Sequence, residues 1–238
     1  MTASQFTAPM PPPFASGIYA ILDTGRLGLS NGAAIADARD LLCGLACAAS
    51  AAGVVAIQLR LKALPLGDPV RVATATAVRA ALAGAIPLIV NDDLAAAAMS
   101  GCGVHVGQSD TAVAAGRMAL GASACVGLST HSVAQVAAAQ QTAASYLGFG
   151  PVRMTASKAA PEPVTGWAAL ADACALSQLA VVAIGGLQTE DAPLARAAGA
   201  HAMAVIGAWL GPVGAPHSVA QAHAAAAALA KAWASAPQ

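Results

Sequence analysis

Charge is scarce in this chain: 9% of its residues are Asp, Glu, Lys or Arg, against about 25% in an average soluble protein. The 11 basic and 11 acidic residues cancel to a formal net charge of zero. No basic stripe stands out, which argues against a nucleic-acid partner. The five cysteines (Cys43, Cys47, Cys102, Cys125 and Cys174) are odd in number and include no CxxC pair. That count suggests reduced thiols rather than a disulfide framework. Cys43 and Cys47, four apart on an expected helix, are better explained by core packing than by a metal. The first residues lack the basic start and apolar stretch of a secretory signal. With the reduced thiols, this gives a cytoplasmic expectation.

Long apolar runs are also missing, with one apparent exception. Residues 41–59 carry no charge, and a spanning helix needs about 20 apolar residues. Ala, Ser and Gly supply little transfer energy, however. Gly53 interrupts the run, and VVAIQLR after it has the β-branched character of a strand. The segment is expected to be a buried helix followed by a strand, with no membrane partner.

What remains is a chain of 238 residues, 58% hydrophobic and rich in alanine, a small side chain that suits helix packing. Short apolar runs at 17–22, 54–60, 86–90, 103–106, 124–129, 145–150, 180–186 and 201–207 read as strands buried on both faces. Helical stretches are expected near 33–51, 69–83, 93–100, 110–119, 132–143, 166–178, 190–198 and 217–233. Asp110, Ser132 and Thr189 are candidate N-caps. Gly53, Gly84, Gly101 and Gly199 stand where helices should stop. Eight strand–helix units in about 250 residues predict a single-domain (β/α)8 TIM barrel. A doubly wound open sheet is the rival. Residues 1–16 form an expected flexible Pro-rich tail, and 17–238 the barrel.

Barrel chemistry sits at the C-terminal ends of the strands, and the rare polar residues fall there. Gln58, Arg60 and Lys62 alternate with Leu59 and Leu61, so the polar three share one face. Arg and Lys together suit a diphosphate. Asn91 and Asp92 end the third strand, and Asp110 follows the fourth. Paired carboxylates there suit Mg²⁺, which usually brings a phosphate with it. Asp110 alone is as well explained as a helix cap, and Asp93 as the start of a helix. Ser129 could donate to a phosphate. His105 reads as a satisfied core histidine. For His131, general acid–base work and a solvated loop position stand level. Thr155, Ser157 and Lys158 make a hydroxyl-and-ammonium cluster that could close over an anion. Glycines after strands seven and eight, at Gly185–Gly186 and Gly207, would let backbone N–H groups approach a phosphate.

These residues resemble the thiamine-phosphate synthase family. The resemblance runs from Ile18 to about Trp209. Its carriers are QLRLK (58–62), NDD (91–93), GVHVGQSD (103–110), VGLSTH (126–131), GPVRMTASK (150–158), AIGGL (183–187) and AVIGA (204–208). It implies a Mg²⁺-dependent alkyl transfer from a hydroxymethylpyrimidine diphosphate to a hydroxyethylthiazole phosphate, giving thiamine phosphate and pyrophosphate. By position it implies that Gln58, Arg60, Lys62, Asn91, Ser129 and Lys158 hold the diphosphate substrate. Arg60, Lys62, Ser129 and Lys158 would carry the catalysis. Asp92 and Asp110 would bind Mg²⁺. Thr155 and Ser157 would contact the thiazole, whose phosphate would rest on Gly186, Ile206 and Gly207. The chain departs from the family at Ser157, where Thr is usual, at Gly207, where Ser is usual, and at Asp93, where Arg is common. Restoring a hydroxyl with Gly207→Ser should therefore tighten the thiazole phosphate. A thiazole tautomerase and a barrel that binds thiamine precursors without turnover are the alternatives. A homo-oligomer is compatible with any of these.

Overall fold

The computed structural model describes residues 12–108, 113–155, 162–215 and 218–237. Eight parallel strands close into a barrel in sequence order. They are β1 Gly17–Asp23, β2 Ala56–Arg60, β3 Leu88–Asn91, β4 Gly103–Val106, β5 Val126–Thr130, β6 Tyr146–Phe149, β7 Ala180–Ile184 and β8 Ala202–Val205. β1 pairs with β8 as well as with β2, which rules out the open sheet. The expected TIM barrel is therefore the fold.

The described helices are α1 Gly32–Asp37, α2 Arg39–Ala51, α3 Pro69–Leu82, α4 Leu94–Ser100, α5 Val113–Leu120, α6 Val133–Ala139, α7 Gly166–Leu176, α8 Ala192–Ala197, α9 Gly207–Leu210 and α10 Val219–Ser235. The uncharged run is α2 followed by β2, as expected, and no described helix is long and apolar enough to cross a membrane. The single helix expected at 33–51 is two, broken at Ala38, whose backbone (φ −85°, ψ 8°) leaves the helical region. Ser132 caps α6 through Gln135 N–H as expected. Thr189 does not cap a helix: it opens a 3₁₀ turn, Thr189–Asp191, and Gln188 precedes it as the cap. Asp110 lies outside the described residues.

Strand alternation sorts the side chains into two layers. Leu59, Leu61, Val90, Val104 and Val106 point outward, fully buried under the helices. Tyr19, Ile21, Ala56, Ile89, Tyr146, Val182 and Ala204 fill the barrel interior. Each fully buried Leu or Ile contributes roughly 1.5–3 kcal/mol. Phe14 closes the N-terminal end. Only 7% exposed, it packs edge-on against Tyr19 and Tyr146, at ring-centroid distances of 5.6 and 5.1 Å. Its carbonyl accepts from His201 Nε2 at 2.9 Å. The packed domain therefore begins before residue 17, because the barrel needs a ring from the expected tail to fill its floor.

Candidate active site

A cavity of about 380 Å³ opens at the C-terminal ends of the strands, within the usual range for small-molecule sites. It brings together Gln58, Arg60, Lys62, Asn91, Asp92, Ser129, Thr155, Gly186, Ile206 and Gly207. These ten expected residues come from six strand ends or the loops that follow them. Asp110, Ser157 and Lys158 lie outside the described residues. His105 and His131 also line the cavity.

β2 supplies the first edge. Alternation turns Gln58 and Arg60 inward while Leu59 faces the helices. Arg60 Nη1 pairs with Asp23 Oδ2, and both groups are largely buried. Asp23 carries no motif in the sequence, although it is a third rare carboxylate at a strand end. It stands opposite Arg60 in the β1–β2 register, which explains the pairing. Its other oxygen accepts the Arg26 N–H at 3.1 Å.

β3 supplies the most constrained residue. Asp92 has φ +64°, a conformation that non-glycine residues seldom adopt. The Asp93 N–H reaches back to the Asn91 carbonyl at 2.9 Å, closing a three-residue turn around Asp92. Such a turn with positive φ at its centre is rare and strained, costing about 1–3 kcal/mol. Its surroundings hold it in place. The Asp92 N–H donates to His105 O at 2.9 Å. Asp93 caps α4 through Ala96 N–H and also accepts from Gly67 N–H, both at 2.9 Å. Asp93 thus begins a helix, as expected.

Beneath Asp93 lies Arg71, which the sequence alone did not single out. It is 1% exposed. Its Nε stands 2.8 Å from Asp93 Oδ2 without pointing a hydrogen bond at it. The contact is therefore an ion pair rather than an aligned donor bond. Nη1 donates to Leu61 O and Leu64 O at 3.2 and 3.0 Å, and Nη2 to Asn91 O at 3.2 Å. One buried guanidinium thus ties the end of β2 to both flanks of Asp92.

The Asp92 carboxylate accepts from Lys62 Nζ and, at 2.5 Å, from Asn91 Nδ2, both on Oδ2. Lys62 is 52% exposed at its side chain, so this cation is held loosely. Hard carboxylate oxygens suit Mg²⁺, which is usually bound by one or two carboxylates plus substrate phosphates. Asp92 has the donor type for that role, and its Oδ2 already holds one cation, the Lys62 ammonium, at the cavity wall. Among the described residues no group of three or more His, Cys, Asp or Glu gathers to form an all-protein metal cage.

A hydrogen-bond chain crosses the barrel below the cavity. Gln58 Nε2 donates to Tyr19 Oη at 2.9 Å, Tyr19 Oη meets Tyr146 Oη at 2.8 Å, and Tyr146 Oη meets His105 Nδ1 at 2.9 Å. His105 Nε2 meets Ser129 Oγ at 2.9 Å. Burial holds both phenols above their ordinary pKa, so both keep their protons. The chain fixes the imidazole of His105 between Tyr146 and Ser129 and so holds Ser129 Oγ at the cavity wall. Gly127 makes room, since a Cβ there would stand 2.4 Å from His105 Nδ1. His105 is the satisfied core histidine expected, and it also aims Ser129. Removing the central hydroxyl with Tyr146→Phe should strand two buried partners and cost about 1–3 kcal/mol. Denaturant unfolding measures this, and an unchanged midpoint would show that the hydroxyl supports nothing.

His131 is held in place rather than left as a solvated loop residue. Its Nδ1 lies 2.5 Å from the Gly150 carbonyl. A carbonyl only accepts, so Nδ1 carries the hydrogen and the ring straps β5 to the end of β6. The Gly185–Gly186 pair also has a structural cause. A Cβ on Gly185 would stand 2.5 Å from Pro151 Cα, and one on Gly186 2.2 Å from Met154 O. The loop after β6 crosses there, with Val152 N–H donating to Ile184 O and Arg153 N–H to Gly185 O, at 2.8 and 3.0 Å.

A family model described as thiamine monophosphate synthase matches residues 33–209, most of the chain and nearly all of the barrel. The chain belongs to the thiamine monophosphate synthase family. The thiamine-phosphate synthase of Chromobacterium violaceum is 40% identical over 200 residues, which cover 82% of this chain and 89% of that one. That of Anaeromyxobacter dehalogenans is 40% identical over 166 residues, covering 69% of this chain and 73% of that one. Among solved structures, a thiamine phosphate pyrophosphorylase from Pyrococcus furiosus superposes with a TM-score of 0.73 at 24% identity, over 92% of this chain and 96% of that one. At that identity the superposition speaks for the family's barrel and not for its chemistry. The conformation of Asp92 and the Asp23–Arg60 pair are this family member's own observed geometry.

Proposed function

We propose that this chain is a thiamine-phosphate synthase, joining a hydroxymethylpyrimidine diphosphate to a hydroxyethylthiazole phosphate. The observation that carries this proposal is the convergence of Arg60, Lys62, Asn91, Asp92 and Ser129 on one cavity. Family membership supports it independently. The bond from the pyrimidine methylene carbon to oxygen breaks, and both electrons leave with pyrophosphate. The thiazole nitrogen then gives its lone pair to the resulting carbocation.

The chain's task is to stabilise charge that develops on the leaving group. Fixed donors aimed at such charge are the largest catalytic term in many enzymes. Arg60 is held by Asp23 and does not have to search for its position. Ser129 is held at the cavity wall by His105. Lys62 can leave Asp92 and follow the diphosphate. Asn91 and Gln58 offer amide groups to the pyrimidine diphosphate, and Lys158 is proposed beside them from its motif. Mg²⁺, which would be held by Asp92 and Asp110, would neutralise further diphosphate charge when bound. Thr155 and Ser157 would contact the thiazole, with Gly186, Ile206 and Gly207 beneath its phosphate. The five cysteines are free, and burial pushes the Cys125 thiol up to about 12. Free thiols support a cytoplasmic location.

Pyrophosphate release in the presence of Mg²⁺ and the pyrimidine diphosphate tests the proposal. It should depend on added thiazole phosphate and be matched mole for mole by thiamine phosphate. No release, together with isomerisation of a thiazole carboxylate without any diphosphate, would instead make this chain an isomerase.

A further inference from the structure

Arg26 lies in the loop after β1, outside every motif noted in the sequence, yet it lines the cavity. Its side chain leans across the β1–β8 seam to the end of β8. Nε donates to Gly211 O at 2.6 Å, and its own carbonyl accepts from Gly214 N–H at 3.2 Å. The loop after β8 therefore grips Arg26 at both its side chain and its backbone. The guanidinium lies against Gly207. A Cβ on Gly207 would stand 2.6 Å from Nη2 and 3.2 Å from Cζ. A side chain at 207 and the present position of Arg26 exclude each other.

The charge pattern singles out the same residue. Arg60 is paired with Asp23, Lys62 with Asp92 and Arg153 with Asp191. Among the described residues, no carboxylate stands within ion-pair distance of Arg26. Glu162 lines the cavity as well, but makes no such pair. Arg26 thus brings a fixed, un-neutralised guanidinium to the loop after β8. The loops after strands seven and eight frequently bind phosphate in barrels of this kind. With Nε occupied, its two Nη groups still carry four N–H donors, suited to two oxygens of one phosphate.

We propose that Arg26 anchors the phosphate monoester of the second substrate, and that Gly207 is small to let it do so. This rests on the thiazole phosphate seat at Gly186, Ile206 and Gly207 proposed above. It also reverses one expectation from the sequence. Gly207→Ser should weaken the thiazole phosphate rather than tighten it, because Cβ displaces the guanidinium.

The test is steady-state kinetics with hydroxyethylthiazole phosphate and with its unphosphorylated alcohol, on wild type, Arg26→Ala, Arg26→Lys, Gly207→Ser and the Arg26→Ala/Gly207→Ser double variant. Arg26→Ala should raise the KM for the thiazole phosphate about 10- to 100-fold, the range for a lost hydrogen bond to a charged group. The KM for the pyrimidine diphosphate should stay within about twofold, as expected for a group that does not touch it. Arg26→Lys should retain part of the affinity. Gly207→Ser should harm wild type but harm the Arg26→Ala background less, since the space is then free. An Arg26→Ala enzyme that prefers phosphate over alcohol as strongly as wild type would overturn the role of Arg26 alone. A larger effect on the diphosphate KM would move Arg26 to the other substrate and also overturn it. A wild type indifferent to the thiazole phosphate would overturn the seat itself. Thermal melts of all five proteins separate these outcomes from misfolding.

Discussion

Asp92→Asn is expected to lower turnover by about 100- to 1,000-fold, the usual effect of removing one group that stabilises developing charge. Asn keeps the size and shape of Asp and tolerates positive φ better than most residues. The strained turn at φ +64° should therefore survive, and the melting temperature should move by only a few degrees. Asp92→Ala should lose as much activity but fold less well, since alanine gains nothing from the left-handed region. Assays at saturating Mg²⁺ with both substrates, run beside thermal melts, measure the two effects separately. Near-wild-type turnover in a folded Asp92→Asn enzyme would take the carboxylate out of the chemistry. It would leave Asp92 only its contacts to Lys62 and Asn91.

Arg71→Ala is expected to be the most destabilising single change. The guanidinium and Asp93 are paired with side-chain exposures of 2% and 1%. Removing one partner from such a pair costs about 3–5 kcal/mol, because the other charge stays buried and uncompensated. In a chain of this size that lowers the melting temperature by on the order of 10 °C. Three carbonyl acceptors, on Leu61, Leu64 and Asn91, also lose the guanidinium's donors. Arg71→Lys should recover the pairing with Asp93 but not the fork, and so fall between Ala and wild type. The strain at Asp92 depends on the same contacts, so activity in Arg71→Lys should fall further than its stability loss explains. A melt unchanged in Arg71→Ala would show that Asp93 is held by α4 and Gly67 alone.

The barrel itself was legible in the sequence. Strands buried on both faces read as short apolar runs, and alternation within QLRLK by itself sets Gln58, Arg60 and Lys62 on one face. Scarcity of charge drew attention to Asp92, and the same logic extends to Asp23 and Arg71. Asp23 escapes it because the apolar run GIYAIL stops at Leu22, one residue short of the end of β1. Arg71 escapes it because an arginine in the first turn of an alanine-rich helix looks like surface.

What the sequence determined by itself follows from local chemistry: period-two burial, caps such as Ser132, and the kinds of polar group available at each strand end. The tertiary structure decided what depends on residues far apart in the chain. It paired Arg60 with Asp23 across 37 positions and linked Tyr19 to Tyr146 across 127. It also set Arg26 against Gly207, where a missing hydroxyl in the sequence becomes space for a guanidinium in the fold. Barrel closure is the physical reason. It brings the first and last strands side by side, and no local pattern records which side chains then meet.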